Sequence, residues 1–235
     1  MDKSILNYIQ KTSEKGEKLL AILVDPDKSS LDEIPSISKR IEKLKANFIL
    51  VGGSLVEDGV TEFFVKALKN HSKLPVILFP GDYTQITNYA DGVLFLSLLS
   101  GRNPEYLIEQ QIKAVPYLKN ASLEIIPTGY ILIDGGTKSS VLKVSNTTPI
   151  SQKNVELVIH TAVAGMYKGK ELIYLEAGSG AKNPVEASLI TKVKQEISIP
   201  LIVGGGIKTK QQIKTAFNSG ADIVVVGNAF ENNTL

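Results

Sequence analysis

Short runs of aliphatic and β-branched residues recur along the chain, separated by longer stretches in which apolar positions return every three or four residues. The runs predict strands at 19–25, 47–51, 75–79, 92–98, 123–133, 171–176, 199–203 and 222–226. Segments such as LLAILV and DIVVV are hydrophobic on successive residues, not alternate ones. Both faces of such strands must be buried, which is the signature of a parallel sheet. The intervening periodic stretches predict helices over Leu31–Lys45, Thr61–Asn70, Pro104–Lys119, Lys153–Lys168, Pro184–Glu196 and Thr209–Ser219. Eight strand–helix units of about 29 residues each match the size of a βα repeat. The 235 residues also suit an eight-stranded α/β barrel, which typically takes roughly 250. The expectation is a (β/α)8 TIM barrel forming one domain over 1–235.

An open doubly wound sheet is the competing architecture, but it usually carries a glycine-rich turn after its first strand. Here the first strand runs into Asp25-Pro26-Asp27, and glycines cluster after the second, sixth, seventh and eighth strands. That distribution favours the barrel. The polar stretch Asp134–Pro149 reads as an active-site loop. The amphipathic segment Lys3–Lys15 is placed to cover the barrel floor. The residues after the last strand leave room for only a short eighth helix, or none.

Composition narrows the function. Hydrophobic residues make up 43% and charged residues 21%, enough apolar surface to offset chain entropy. Lys and Arg number 26 against 24 Asp and Glu, a net charge of +2. That balance argues against nucleic-acid binding by bulk electrostatics, and Arg40 and Arg102 are the only arginines for bidentate base contacts. Without cysteine, the chain has no disulfide, thiolate metal site or cysteine nucleophile. Two histidines, His71 and His160, argue against a histidine-rich metal centre and read as structural or exposed. No apolar run has the length of a membrane helix and no signal-peptide core opens the chain, so a cytoplasmic location is expected.

Barrel chemistry occurs at the carboxyl ends of the strands. There the sequence places Asp25, Asp27 and Lys28; Gly52-Gly53-Ser54; Glu176 followed by Ala177–Ala181; Gly204-Gly205-Gly206; and Gly227-Asn228. Backbone N–H groups converging without Cβ atoms in the way make a phosphate site, and the seventh and eighth loops of barrels often do so. Asp25 suits a Mg²⁺ ion held against a phosphate or diphosphate, with Ser54 able to add an oxygen. Asp27 or Ser29 reads as the cap of the helix beginning near Leu31. Glu176 closes the apolar run Leu172–Leu175, where a buried acid needs a partner or a purpose; it could act as a general base or bind substrate hydroxyls.

The segments LVDPDK at 23–28, FILVGGS at 48–54, LFPG at 78–81, YLEAGSGA at 174–181, VGGGIK at 203–208 and ADIVVVGNAF at 221–230 resemble the geranylgeranylglyceryl/heptaprenylglyceryl phosphate synthase family over nearly the whole chain. The resemblance implies Mg²⁺-dependent transfer of a prenyl group from its diphosphate to the 3-hydroxyl of sn-glycerol 1-phosphate. By the family pattern, Asp25 and Ser54 match the metal positions. Tyr174, Leu175, Glu176, Ala177, Gly178, Ser179, Gly180, Gly205, Gly206, Gly227 and Asn228 match the glycerol-phosphate site. Lys28 would assist with the prenyl diphosphate, and Glu176 would take the proton of the attacking hydroxyl. Family members often continue into a final helix that this chain lacks room for. The resemblance also implies a homo-oligomer, a hexamer ahead of a dimer.

Phe79, Phe95, Leu98 and Leu99 are candidates for an apolar prenyl groove, though equally plausible as core. Tyr106 is a candidate stop that would favour the twenty-carbon donor over the thirty-five-carbon one. Two other readings of the glycine clusters stay open: a phosphate-binding isomerase, aldolase or synthase barrel, and a non-catalytic phosphate-binding scaffold.

Overall fold

In the computed structural model, which describes residues 4–137, 139–232 and 234, eight parallel strands close into a barrel in chain order. They are β1 (Leu19–Val24), β2 (Phe48–Val51), β3 (Val76–Leu78), β4 (Gly92–Leu98), β5 (Glu124–Leu132), β6 (Leu172–Glu176), β7 (Leu201–Gly204) and β8 (Ile223–Val226). Closure is made where β8 pairs with β1, Ile22 standing opposite Val226. The helices are α1 (Ser4–Glu14), α2 (Ile34–Lys43), α3 (Val60–His71), α4 (Gln110–Leu118), α5 (Ser140–Ser145), α6 (Val155–Tyr167), α7 (Ala187–Glu196), α8 (Lys210–Asn218) and α9 (Asn228–Glu231). Strand ends fall within two residues of the sequence expectation, and the eighth helix, α9, is short as foreseen.

Alternation along each strand divides the apolar residues between two cores. Leu19 and Ala21 of β1, Leu50 of β2, Tyr174 of β6 and Val225 of β8 fill the barrel interior. Their neighbours Ile22, Val24, Ile49, Leu175 and Val224 face outward under the helices. This is why the strands read as unbroken hydrophobic runs. α1 seals the floor, with Ile5, Leu6 and Ile9 joining the inner cluster. The buried Glu124, at the start of β5, accepts hydrogen bonds from the Ile5 and Leu6 amides, each 2.7 Å long. Those are amides of the first turn of α1, which have no partner within the helix. The expected floor helix begins at Lys3, which lies outside the described residues.

Four expectations need correction. The helix expected from Leu31 is preceded by two 3₁₀ turns, Pro26–Lys28 and Leu31–Glu33, and starts only at Ile34. Its approach is capped differently too. Asp25, not Asp27 or Ser29, accepts the Asp27 amide at 3.2 Å, and Glu33 accepts the Ser30 amide at 2.9 Å. The segment expected from Pro104 opens with a π-helical turn, Glu105–Glu109, ahead of α4. The polar stretch 134–149 carries α5, whose N-cap is Ser139; a helix of six residues is too short to show the apolar periodicity that reveals longer ones.

Candidate active site

The carboxyl ends of the strands open into a cavity of about 370 Å³. Its wall has three chemically distinct sectors, formed by β6–β8, by β1–β2 and by β3–β5 with their loops.

In the first sector Tyr174 and Glu176 point inward from β6, which turns Leu175 between them into the outer core. Ala177 is buried in that outer core as well, so Leu175 and Ala177 offer the mouth only their backbone. Glu176 is 6% exposed. Its Oε1 accepts the Gly178 amide at 2.7 Å, while Oε2 stands beside Tyr174 Oη over Gly204. Burial pushes the Glu176 carboxyl up to about 7, against the opposing pull of the Gly178 N–H and the nearby Tyr174 hydroxyl. Burial, reinforced by the Glu176 charge, raises Tyr174 well above the ordinary phenol range. Its hydroxyl approaches the carboxylate without closing a well-formed hydrogen bond.

Glycine is demanded around this acid. Gly205 sits at φ +79°, and a Cβ there would collide with Glu176 Oε1 and the Gly178 amide. Gly206, Gly227, Ser179, Gly180 and Asn228 line the same sector. The loops after β6 and β8 are tied together where Ser179 Oγ donates to Asn228 Oδ1 at 2.8 Å.

In the second sector Asp25 Oδ2 lies 2.7 Å from Lys28 Nζ. Burial works to lower Lys28, but Asp25, Glu231 and Asp27 outweigh it and raise the ammonium pKa. Ser54 lines the cavity beside Gly53, where a Cβ would stand 2.7 Å from Asp25 Oδ1; only glycine lets the two loops meet so closely. Two residues here escaped the sequence reading. Gln85, 2% exposed, accepts the Gly53 and Gly81 amides at 3.3 and 3.2 Å and donates to the Gly53 carbonyl at 2.9 Å. It clamps the loops after β2 and β3. Glu231 of α9 accepts the Asp25 amide at 3.3 Å and lies 3.9 Å from Lys28. Neither sits in a motif, and only the folded chain brings them to the mouth.

The third sector is apolar. Phe79, Phe95, Leu98 and Tyr106 line it, with Tyr106 Oη donating to the Val144 carbonyl at 3.3 Å. Phe79, Tyr130 and Tyr174 form an aromatic cluster with centroids 5.3–5.7 Å apart. Leu99 departs from the expected groove: it fills the seam between Gly129 of β5 and Gly165 of α6, because its side chain points to the outer face. His71 and His160 lie on α3 and α6, outside the cavity.

Among the described residues no group of three His, Asp or Glu side chains forms a metal cage, and no helix is long and apolar enough to cross a membrane.

The PcrB family profile matches residues 12–234. The chain is 56% identical over 230 residues to a geranylgeranylglyceryl phosphate synthase of Zunongwangia profunda, covering 97% of both chains. To the geranylgeranylglyceryl phosphate synthase of Flavobacterium johnsoniae it is 49% identical over 238 residues, covering 100% of this chain and 98% of the relative. Its fold superimposes on the (S)-3-O-geranylgeranylglyceryl phosphate synthase of Thermoplasma acidophilum in complex with sn-glycerol-1-phosphate. That match has a TM-score of 0.92 and 33% identity, over 98% of this chain and 92% of the other.

Proposed function

The chain belongs to the PcrB family, and from that premise we propose that it transfers a geranylgeranyl group from its diphosphate to the 3-hydroxyl of sn-glycerol 1-phosphate. The observation that carries this reading is Glu176: a buried carboxylate that lines a glycine-rich mouth, held through one oxygen on the Gly178 amide. A scaffold that only binds phosphate has no use for it.

The backbone amides of Ser179-Gly180, Gly205-Gly206 and Gly227-Asn228 receive the glycerol phosphate, while the Gly178 amide stays on Glu176. Tyr174 and Glu176 orient the hydroxyls. The bond between the allylic carbon and the diphosphate oxygen breaks, and the diphosphate leaves with the electron pair. The glycerol oxygen forms the new ether bond to that carbon, and its proton passes to Glu176. An acid held near 7 is matched to general-base work at neutral pH. The Phe79–Tyr130–Tyr174 cluster keeps water from the cation-like carbon.

Asp25 and Ser54 are the residues to hold Mg²⁺, with Lys28 assisting the diphosphate. The donor set fits: hard oxygen ligands, one carboxylate facing the cavity, and space cleared by Gly53. Mg²⁺ favours few protein oxygens with water and phosphate completing its shell. When bound, it would neutralise the charge that develops on the leaving diphosphate. The prenyl tail lies along Phe79, Phe95 and Leu98, with Tyr106 as its stop. The protein works in the cytoplasm as a homo-oligomer, a reading supported by the exposed Leu157 and Tyr167 on the apolar helix α6; light scattering that finds a monomer would refute the oligomer.

Incubation with labelled geranylgeranyl diphosphate, sn-glycerol 1-phosphate and Mg²⁺ is expected to give a prenyl ether, and EDTA to abolish it. Tight sn-glycerol 1-phosphate binding with no ether formed from either the twenty-carbon or the thirty-five-carbon diphosphate would refute prenyl transfer and favour the scaffold reading.

A further inference from the structure

The short helix α9 brings a charge to the β1–β2 sector that the reaction above does not use. Glu231 is half-buried and lines the cavity. One oxygen accepts the Asp25 amide at 3.3 Å and the other lies 3.9 Å from Lys28 Nζ. The helix that carries it is anchored from outside the barrel: Arg40 of α2 donates to the Phe230 carbonyl and stacks its guanidinium 4.2 Å over the Phe230 ring. Glu231 is therefore held at the mouth by a dedicated contact and not by chance exposure.

The sector then contains three carboxylates, Asp25, Asp27 and Glu231, against one ammonium, Lys28. Lys28 is shared between Asp25 and Glu231. A bare diphosphate entering here meets surplus negative charge and a lysine already engaged. A diphosphate accompanied by a divalent cation meets neither obstacle. Resting on the reading of Asp25 as the metal residue, we infer that Glu231 is a positioning residue that makes this sector depend on a divalent cation, by restraining Lys28 and adding negative charge beside Asp25. The deduction concerns charge and reach, not a direct bond from Glu231 to the ion.

The test uses the full chain with Mn²⁺, followed by its effect on water-proton relaxation, and inorganic pyrophosphate, followed by calorimetry with Mn²⁺ or with EDTA. Glu231→Gln keeps an acceptor for the Asp25 amide but removes the charge. It is expected to weaken Mn²⁺ binding about tenfold, the scale of one charge at a partly solvated site, and to strengthen metal-free pyrophosphate binding. Glu231→Asp, which keeps the charge, should stay near wild type in both. Affinity for sn-glycerol 1-phosphate should be unchanged throughout. Unaltered Mn²⁺ affinity in Glu231→Gln overturns the inference, as does equal weakening of Mn²⁺ and metal-free pyrophosphate, which would mark a merely loosened loop. Asp25→Asn reports separately on the underlying reading, since it must lose Mn²⁺ binding if Asp25 holds the metal. Wild-type protein that binds pyrophosphate equally with and without Mn²⁺ overturns both.

Discussion

Glu124 and Glu176 are both nearly sealed from solvent, at 4% and 6% exposure, yet they occupy opposite ends of the barrel in opposite circumstances. At the floor, both oxygens of Glu124 accept amides of the first turn of α1, where the helix dipole also favours negative charge. At the mouth, Glu176 has one oxygen on the Gly178 amide and the other beside Tyr174 and the cavity. Burial is common to the two. What separates a structural acid from a reactive one here is whether backbone amides engage both carboxylate oxygens or only one. The floor glutamate completes a helix terminus; the mouth glutamate is left incomplete for a substrate hydroxyl to complete.

The largest expected effect bears on the mouth. Removing a positioned general base typically costs about 10²–10⁴-fold in rate, so Glu176→Gln should lose that much turnover with little change in sn-glycerol 1-phosphate affinity. Steady-state kinetics alongside calorimetry separate the two, and near-normal turnover would reduce Glu176 to substrate positioning.

At the floor the loss should appear in stability. Glu124→Ala leaves two buried amides without acceptors, each worth about 1–3 kcal/mol, so a destabilisation of about 2–6 kcal/mol is expected in chemical denaturation. Turnover per folded molecule should be unchanged. A variant that loses activity while keeping its stability would break the division between the two ends.

The pH dependence of folding sharpens the comparison. Glu176 is raised from 4.5 to about 7 in the folded protein, so the unfolded chain releases this proton first. Its contribution to stability is therefore at its best below pH 4.5 and falls as pH rises through about 7. Glu176→Gln removes that decline and should be more stable than wild type at pH 8, by about 3 kcal/mol. Denaturation midpoints at pH 5 and 8 test it; equal differences at the two pH values would mean that the carboxyl is not perturbed.

A smaller effect is expected from Gln85. Gln85→Ala removes the clamp on Gly53 and Gly81 and should raise KM for the prenyl diphosphate about tenfold, a loss of about 1.4 kcal/mol in hydrogen bonding. The KM for sn-glycerol 1-phosphate should hold. If both rise together, the two sides of the mouth are not independent.

Much of this molecule was legible before folding. Doubly buried strands announce themselves as unbroken apolar runs, and Glu176 stood out because a carboxylate ends one of them. Glu124 was just as visible at the start of a run, and the direction of the strand distinguishes it: amino ends of barrel strands face the floor, carboxyl ends the mouth. Gln85 and Glu231 were illegible because their partners, Gly53 and Asp25, lie far away in sequence. No local pattern marks a glutamine or glutamate for a loop that only barrel closure brings near. α5 was missed because its six residues, SVLKVS, span less than two helical turns and so carry no periodic signal. Leu99 stood open between groove and core because an apolar residue just past a strand can face the cavity or the helices, and only the register decides.

The most direct test of the account is the pH dependence of kcat/KM for sn-glycerol 1-phosphate, which reports on the unliganded site, for wild type and Glu176→Gln side by side. Wild type is expected to rise with pH along a limb of midpoint near 7 as the Glu176 carboxyl ionises, and Glu176→Gln to lose that limb on a profile lying about 10²–10⁴-fold lower. The same limb surviving in Glu176→Gln would contradict the assignment of Glu176 as the base, and with it the distinction between the two buried glutamates.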